Sequence, residues 1–184
     1  AVAIMCKEDE LQDTISLMKE KPKLVITDSQ AFKRVSLDTP KDIPLTSFSI
    51  LFARMGYKVL AIDLDIDTFN FAKKRFVDRN LDITCYSVLE DMKLPKLFQK
   101  VNFIFCRDVL EHTVNPLEVL TFFYKTLTED GYMYISTMNP GEEIYIGAEH
   151  LEDTIKKAQS REYKEFFEKH FISLGIHGLY KKRI

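Results

Sequence analysis

The sequence predicts an α/β protein with a Rossmann-like, doubly wound and mainly parallel sheet of about seven or eight strands, with helices on both faces. Short apolar runs, such as KLVIT at 23–27 and YKVLAI at 57–62, alternate with segments whose apolar residues recur at helical spacing. The run VNFIFC at 101–106 is apolar almost throughout, which is typical of a strand covered on both faces of a parallel sheet. Repeated β–α units of this kind predict parallel strands joined by helices.

The part of the chain before Gly56 is predicted to alternate between short strands and helices. Gly56 is placed to end a helix, because glycine is favoured just past a helix C-terminus. The two prolines of Asp38–Pro44 predict a loop. The predicted strands are Ala1–Met5, Lys23–Thr27 and Leu45–Phe48, and the predicted helices are a segment with Leu11, Ile15 and Met18 on one face, then Ser29–Val35 and Ser49–Met55.

The same alternation continues after Gly56. Asp130 and Gly131 predict a turn into a strand, and Gly175 and Gly178 are expected to be weak points or bulges in a last strand. The predicted strands are Tyr57–Ile62, Ile83–Ser87, Val101–Cys106, Tyr132–Thr137 and Phe171–Tyr180; the predicted helices are Asp67–Arg79, Asn115–Thr128 and Leu151–Lys169. All 184 residues are expected to form a single α/β domain, with parts at 1–55 and 56–184.

Composition and charge restrict the possible partners. A net charge of −2 gives no general attraction to nucleic acid or to an anionic membrane. No apolar stretch approaches the length of a membrane span, so we expect a soluble, cytoplasmic protein. The cysteines Cys6, Cys85 and Cys106 are widely spaced and form no cluster with histidine, so no metal site is expected.

Three motifs after Gly56 resemble those of the class I S-adenosylmethionine (AdoMet) methyltransferases. They are VLAID at 59–63, DVLEH at 108–112 and LTEDGYMYIST at 127–137, in the order and spacing of that family. The resemblance covers residues 56–140 and extends toward the C-terminus. It implies that Asp63, at the tip of a strand, accepts the ribose hydroxyls of the cofactor. The alternative is that Asp63 caps the next helix.

The resemblance also implies the remaining candidate site residues, which matter only if AdoMet binds. Glu90 or Asp91 would contact the adenine, and Leu64 and Asp108 complete the candidate cofactor-binding set. His112 could serve as a general base, but a surface or helix-capping role is the preferred interpretation. No catalytic residue is therefore predicted.

The glycine-rich loop of that family is missing. No glycine occurs between Ala1 and Met55, and the expected loop, before the helix that ends at Gly56, contains the bulky Phe48. Instead, KPKLVITDSQAFKRV at 21–35 and DIPLTSFSILFAR at 42–54 resemble the dimerisation domain of HydF, the GTPase that matures iron-only hydrogenases. The phosphate loop of a GTPase is absent.

Two resemblances that meet near Gly56 predict a chimera of two α/β domains, designed or recombined, without evolved catalytic activity. No cofactor is expected, with weak AdoMet binding at most. One alternative is an AdoMet-dependent methyltransferase with an atypical cofactor loop. Another is a homodimerising interaction module, in which an exposed edge strand from the first part pairs between chains. A natural fusion is an alternative origin.

Overall fold

A computed structural model describes residues 24–27, 48–64, 67–88, 94, 97, 99–107, 109–142 and 152–184. The predictions for Ala1–Met5, for the helices before Lys23 and at Ser29–Val35, and for the loop Asp38–Pro44 lie outside these residues. The strands are β1 Leu24–Thr27, β2 Lys58–Leu64, β3 Ile83–Val88, β4 Val101–Cys106, β5 Leu127–Ile135, β6 Phe171–Ser173 and β7 Leu179–Lys182. The helices are α1 Phe48–Arg54, α2 Asp67–Asp78, a 3-10 turn Leu110–His112, α3 Pro116–Thr126, α4 Glu152–Ala158 and α5 Arg161–His170.

The described strands form one mixed seven-stranded sheet in the order β3-β2-β1-β4-β5-β7-β6. Strands β1 to β5 pair in parallel, whereas β7 pairs antiparallel with both β5 and β6. The predicted Rossmann-like α/β class is confirmed. The antiparallel strand makes the sheet mixed.

Strand β1 lies in the centre of the sheet. Val25 is opposite Val59 of β2 on one side and Phe103 of β4 on the other. This placement puts Leu24–Thr27 beside Val101–Cys106 in the sheet. It also shows that Leu24–Thr27 is no exposed edge strand, so this strand cannot pair between chains as the interaction-module alternative supposed.

Successive side chains of each strand point to opposite faces of the sheet, and helices cover the apolar side chains on both faces. On one face, Val59 and Phe103 pack against α1, and Ala61 packs against Phe69, Ala72 and Phe76 of α2. The opposite face packs against α3 and α5, and it contains Leu60, Ile104, Met133, Ile135, Leu120, Phe123, Tyr163 and Phe167. Full burial of one such side chain contributes about 1.5–3 kcal/mol.

Helix α1 begins at Phe48, so this residue does not end a strand as predicted. The Phe48 ring is buried, and its centroid lies 4.4 Å from that of Phe105 in β4. This packing against the sheet favours the start of the helix at Phe48. The predicted stop at Gly56 is confirmed: its φ is +84°, and the Tyr57 N–H donates to the Phe52 carbonyl at 3.1 Å.

Three local predictions near the C-terminus are wrong. Leu127–Ile135 is one continuous strand, and the turn expected at Asp130 is a register irregularity against β4. The expected helix Leu151–Lys169 is two helices, because the Ser160 hydroxyl caps α5 by accepting from the Tyr163 N–H. The expected strand Phe171–Tyr180 is the hairpin β6–β7, since Gly175 and Gly178 have φ values of +75° and +76° in its turn.

Candidate functional site

The carboxyl ends of the parallel strands meet at one edge of the sheet, called here the carboxyl edge. Ligands of open α/β sheets bind outside such an edge, where the strand order changes direction. In this sheet the strand order reverses at β1. The chain passes from β1 to β2 and β3 on one side, and β4 then lies on the other side of β1. The candidate site is therefore centred on the ends of β2, β1 and β4.

The expected cofactor loop was placed just before the helix that ends at Gly56. In open α/β sheets the ligand-binding loop follows a central strand, which is β1 here, and the residues after Thr27 lie outside those that the structure describes. Phe48 belongs to α1 and fills the space under Phe105. The objection that its side chain would occupy the cofactor turn therefore does not hold.

Asp63 lies at the carboxyl end of β2, next to the end of β1. Strand β2 extends two residues past the predicted Ile62, so Asp63 and Leu64 are part of it. The side chain of Asp63 is half-buried, and its Oδ1 accepts from the Leu64 N–H at 2.7 Å. This local bond holds the carboxylate at the carboxyl edge, where it can accept hydrogen bonds from a diol.

A lysine and a serine lie beside this carboxylate. Ser87 of β3 is the register partner of Asp63, and the Lys73 ammonium of α2 donates to Ser87 Oγ at 2.7 Å. The same ammonium lies 4.5 Å from the centroid of the Phe69 ring. The carboxyl ends of β2 and β3 thus carry the Asp63 carboxylate and the Ser87 hydroxyl, with the Lys73 ammonium beside them.

The segment after β4 places a second carboxylate in the protein interior. Glu111 lies in the 3-10 turn and is 3% exposed, and its Oε2 accepts from the Thr137 hydroxyl at 2.7 Å. That bond ties the segment after β4 to the segment after β5. His112, the candidate base, follows directly and is half-buried.

Four polar residues form a further cluster where β5 ends and β7 begins. We call Asn139, Glu142, His177 and Tyr180 the β5–β7 polar cluster. The Tyr180 hydroxyl donates to Asn139 Oδ1 at 2.9 Å, and the Asn139 N–H and Nδ2 both contact Glu142 Oε2 at 3.0 Å. His177 Nε2 lies 3.2 Å from Glu142 Oε1.

Burial and charge act on the tyrosines of this region. Burial, with a smaller effect from the Glu142 carboxylate, raises the pKa of Tyr180 to about 12. Burial likewise raises the pKa of Tyr163, whose hydroxyl donates to the Met138 carbonyl at 3.0 Å. Both phenols are therefore protonated hydrogen-bond donors at neutral pH.

Sequence reasoning found part of this arrangement. Asp63 and Leu64 lie at the carboxyl edge, while Glu90, Asp91 and Asp108 lie outside the described residues. It missed the β5–β7 polar cluster, whose residues come from two distant segments. The Asn139-Pro140-Gly141 turn after β5 was the available signal, since it marks a loop at a strand end.

Two negative observations apply to the part of the chain that the structure describes. There, no group of three or more His, Cys, Asp or Glu side chains is arranged to hold a metal ion. Within the same residues, every helix is too short or too polar to cross a bilayer.

Two protein families match this chain. The family described as "Methyltransferase domain" matches residues 46–172, and "Hydrogen maturase F dimerization domain" matches residues 1–57. The overlap at 46–57 covers α1 and the residues that lead into β2. The two resemblances are thus both found, while a chimeric origin stays a prediction.

Curated relatives carry one shared name. The ubiquinone biosynthesis O-methyltransferase of Haemophilus ducreyi is 29% identical over 122 residues, which cover 62% of this chain and 51% of that protein. Its counterpart from Glaesserella parasuis is 32% identical over 108 residues, which cover 54% and 45%. The chain therefore spans about half the length of the curated relatives it matches.

Solved structures agree on the fold. A Clostridium thermocellum protein has a TM-score of 0.57 at 14% identity, with 96% of this chain and 95% of that chain covered. Coclaurine N-methyltransferase, solved with N-methylheliamine and SAH, has a TM-score of 0.51 at 10% identity, with 73% and 38% covered. At these identities the likeness supports the fold alone.

These findings overturn the prediction of a scaffold without catalytic activity. A methyltransferase needs a methyl donor, so the expectation that no cofactor is required is wrong as well. Among the predicted alternatives, the findings favour an AdoMet-dependent methyltransferase with an atypical cofactor loop. The "Methyltransferase domain" match covers more than half of the chain, and the chain therefore belongs to the methyltransferase domain family.

Proposed function

We propose that this protein transfers a methyl group from AdoMet to a hydroxyl oxygen of a small acceptor. The observation that carries this proposal is the position of Asp63 at the carboxyl edge, within the segment that matches the methyltransferase family. The names of the relatives from Haemophilus ducreyi and Glaesserella parasuis support oxygen as the acceptor atom.

The described residues fit a nucleoside cofactor at this edge. A carboxylate at the tip of β2 is the group that accepts hydrogen bonds from a ribose diol in related folds. Ser87 and Leu64 lie beside it at the ends of β3 and β2. Bound AdoMet would supply an electrophilic methyl group. Glu90, Asp91 and Asp108 remain proposed contacts of the adenine and of the rest of the cofactor.

Titration calorimetry with AdoMet and with S-adenosylhomocysteine tests the cofactor. We expect binding in the micromolar range for the wild-type protein. Asp63→Asn should weaken AdoMet binding by roughly 10- to 100-fold, because a charge-assisted hydrogen bond contributes about 1.5–3 kcal/mol. Asp78→Asn is the matched control, since this exposed carboxylate lies at the far end of α2 and should leave binding unchanged.

Two results would contradict the proposal. One is a wild-type protein that shows no heat of binding with AdoMet at millimolar concentration. The other is equal binding by Asp63→Asn and Asp78→Asn, which would leave Asp63 as a helix-capping residue.

We also propose that residues 1–57 mediate self-association. The match to a dimerization domain favours this function. Strand β1 is paired on both sides, so the contact between chains would use other residues of that segment. Light scattering at high protein concentration should give twice the monomer mass, and a strictly monomeric protein would contradict the proposal.

A further inference from the structure

The β5–β7 polar cluster lies on the carboxyl edge, on the side away from Asp63. Strand β7 runs antiparallel to β5, so the β6–β7 turn meets the end of β5, where the Ile135 N–H donates to the Gly178 carbonyl at 2.9 Å. Asp63 and β5 are three strand positions apart, about 14 Å at the usual strand spacing.

The hydrogen bonds of the cluster converge on the Glu142 carboxylate. Tyr180 stays protonated and donates to the Asn139 carbonyl oxygen, which turns the Asn139 amide nitrogen toward Glu142. Two donors from Asn139 then hold Glu142 Oε2. Oε1, the other oxygen, is directed at His177 Nε2. Asn139 is 9% exposed, so this support is built into the interior.

This arrangement selects one form of the imidazole. A carboxylate only accepts hydrogen bonds, so the contact with Glu142 requires the proton of a neutral His177 to lie on Nε2. Nδ1 is then the nitrogen without a proton, and it is available as a base. The side chain of His177 is 66% exposed, and the carboxylate behind it is 31% exposed, so a small molecule can reach the imidazole.

We propose that His177 is the general base of methyl transfer and that Glu142 is its positioning residue. This inference rests on the proposed function. An oxygen lone pair of the acceptor forms a bond to the methyl carbon, and the carbon–sulfur bond breaks with its electron pair left on sulfur. The hydroxyl proton passes to His177 Nδ1, and S-adenosylhomocysteine is the second product.

The chemistry of the cluster also indicates the acceptor class. A phenol is far more acidic than an alkyl alcohol, so its proton passes more readily to a neutral imidazole in a transition state. Leu174 and Ile176 of the same turn are exposed apolar residues beside His177. A phenolic ring fits this combination of an apolar surface and a base.

Two other groups compete for the role. Glu111 is buried and already accepts from Thr137, which makes it a structural carboxylate. His112 is half-buried in the 3-10 turn after β4 and is the stronger competitor. His112→Asn is therefore part of the test, with His170→Asn as the matched control, because His170 contacts Tyr124 and Phe166 in the core.

The test measures methyl transfer to a series of substituted phenols, together with AdoMet binding. His177→Asn should lower kcat for unsubstituted catechol by roughly 100-fold or more, since general base catalysis contributes about 10²–10⁴-fold. The loss should shrink toward 1 with nitrocatechol, which is already ionised at neutral pH and needs no base. AdoMet affinity should stay within about twofold of wild type.

Glu142→Gln should give an intermediate loss of roughly 10-fold. Nitrogen NMR of the imidazole gives a readout that does not depend on turnover. Wild-type His177 should carry its proton on Nε2, whereas in Glu142→Gln the amide NH₂ group would face Nε2 and shift the proton toward Nδ1.

Three results would overturn the inference. A loss in His177→Asn that is equal for catechol and nitrocatechol would indicate a structural role. So would a larger loss in His112→Asn than in His177→Asn. A wild-type protein that methylates amines but no phenol would overturn the assignment of His177 as the general base. Failure to bind AdoMet would instead overturn the proposed function itself.

Discussion

Gly178 joins the β6–β7 turn to the end of β5, and Gly178→Ala should therefore destabilise the protein. The residue has a φ of +76°, and its carbonyl accepts the Ile135 N–H at 2.9 Å. A Cβ added at this position would lie 2.1 Å from the Ile135 carbonyl oxygen. Both contacts involve main-chain atoms at the end of β5, which cannot rotate away as a side chain could.

The expected cost follows from two separate effects. An L-residue in the left-handed region costs about 1–2 kcal/mol. The Ile135–Gly178 hydrogen bond, which the clash would break, contributes about 0.5–1.5 kcal/mol. Their sum is about 1.5–3.5 kcal/mol, which for a chain of this size lowers Tm by roughly 3–14 °C.

Gly175→Ala provides the matched control. Gly175 lies in the same turn with a φ of +75°, but nothing lies within 4 Å of an added Cβ. Only the backbone cost of about 1–2 kcal/mol applies there. Urea unfolding of the two variants at one pH measures the difference. Equal free energies of unfolding for both variants would refute the close approach of the turn to β5.

Two further predictions concern local stability. Ser160→Ala should lower the free energy of unfolding by about 1 kcal/mol, because the cap of α5 is lost, while Ser160→Asp should retain most of it in the same urea experiment. Burial raises the pKa of Tyr180 to about 12, above the unfolded value of about 10. The stability due to its phenol is thus complete below about pH 10 and is lost as pH rises through about 12. Between these pH values the free energy of unfolding of Tyr180→Phe should therefore fall by roughly 1–3 kcal/mol less than that of the wild type. An identical loss in both proteins would contradict the raised pKa.

The local sequence pattern was sufficient to predict those helices and strands whose type follows from the spacing of their apolar residues alone. The apolar run Val101–Cys106 and the stop at Gly56 are found where predicted. The same reasoning failed where one side chain decides between two structures. Ser160 interrupts a continuous helical pattern by accepting one backbone N–H, and the paired glycines at 175 and 178 form a turn where single bulges were expected.

The candidate site was only partly predictable, because strand order depends on contacts between distant segments. The pattern of Leu24–Thr27 gives a strand but not its neighbours, so the cofactor turn was expected just before the helix that ends at Gly56, around Phe48. That assignment led to the wrong conclusion about activity. The β5–β7 polar cluster likewise joins Asn139 to Tyr180 across 41 positions of sequence, a pairing that no local pattern contains.

The central position of β1 determines how this chain can be divided. A fragment that starts at Gly56 would lack β1, which is hydrogen bonded to β2 on one side and to β4 on the other. Strands β2 and β3 would then be separated from the remaining strands by a gap in the sheet. Exposed main-chain groups along that gap would favour aggregation. The segment that resembles the hydrogenase maturation factor thus supplies the central strand of the sheet, and the two parts are expected to fold together.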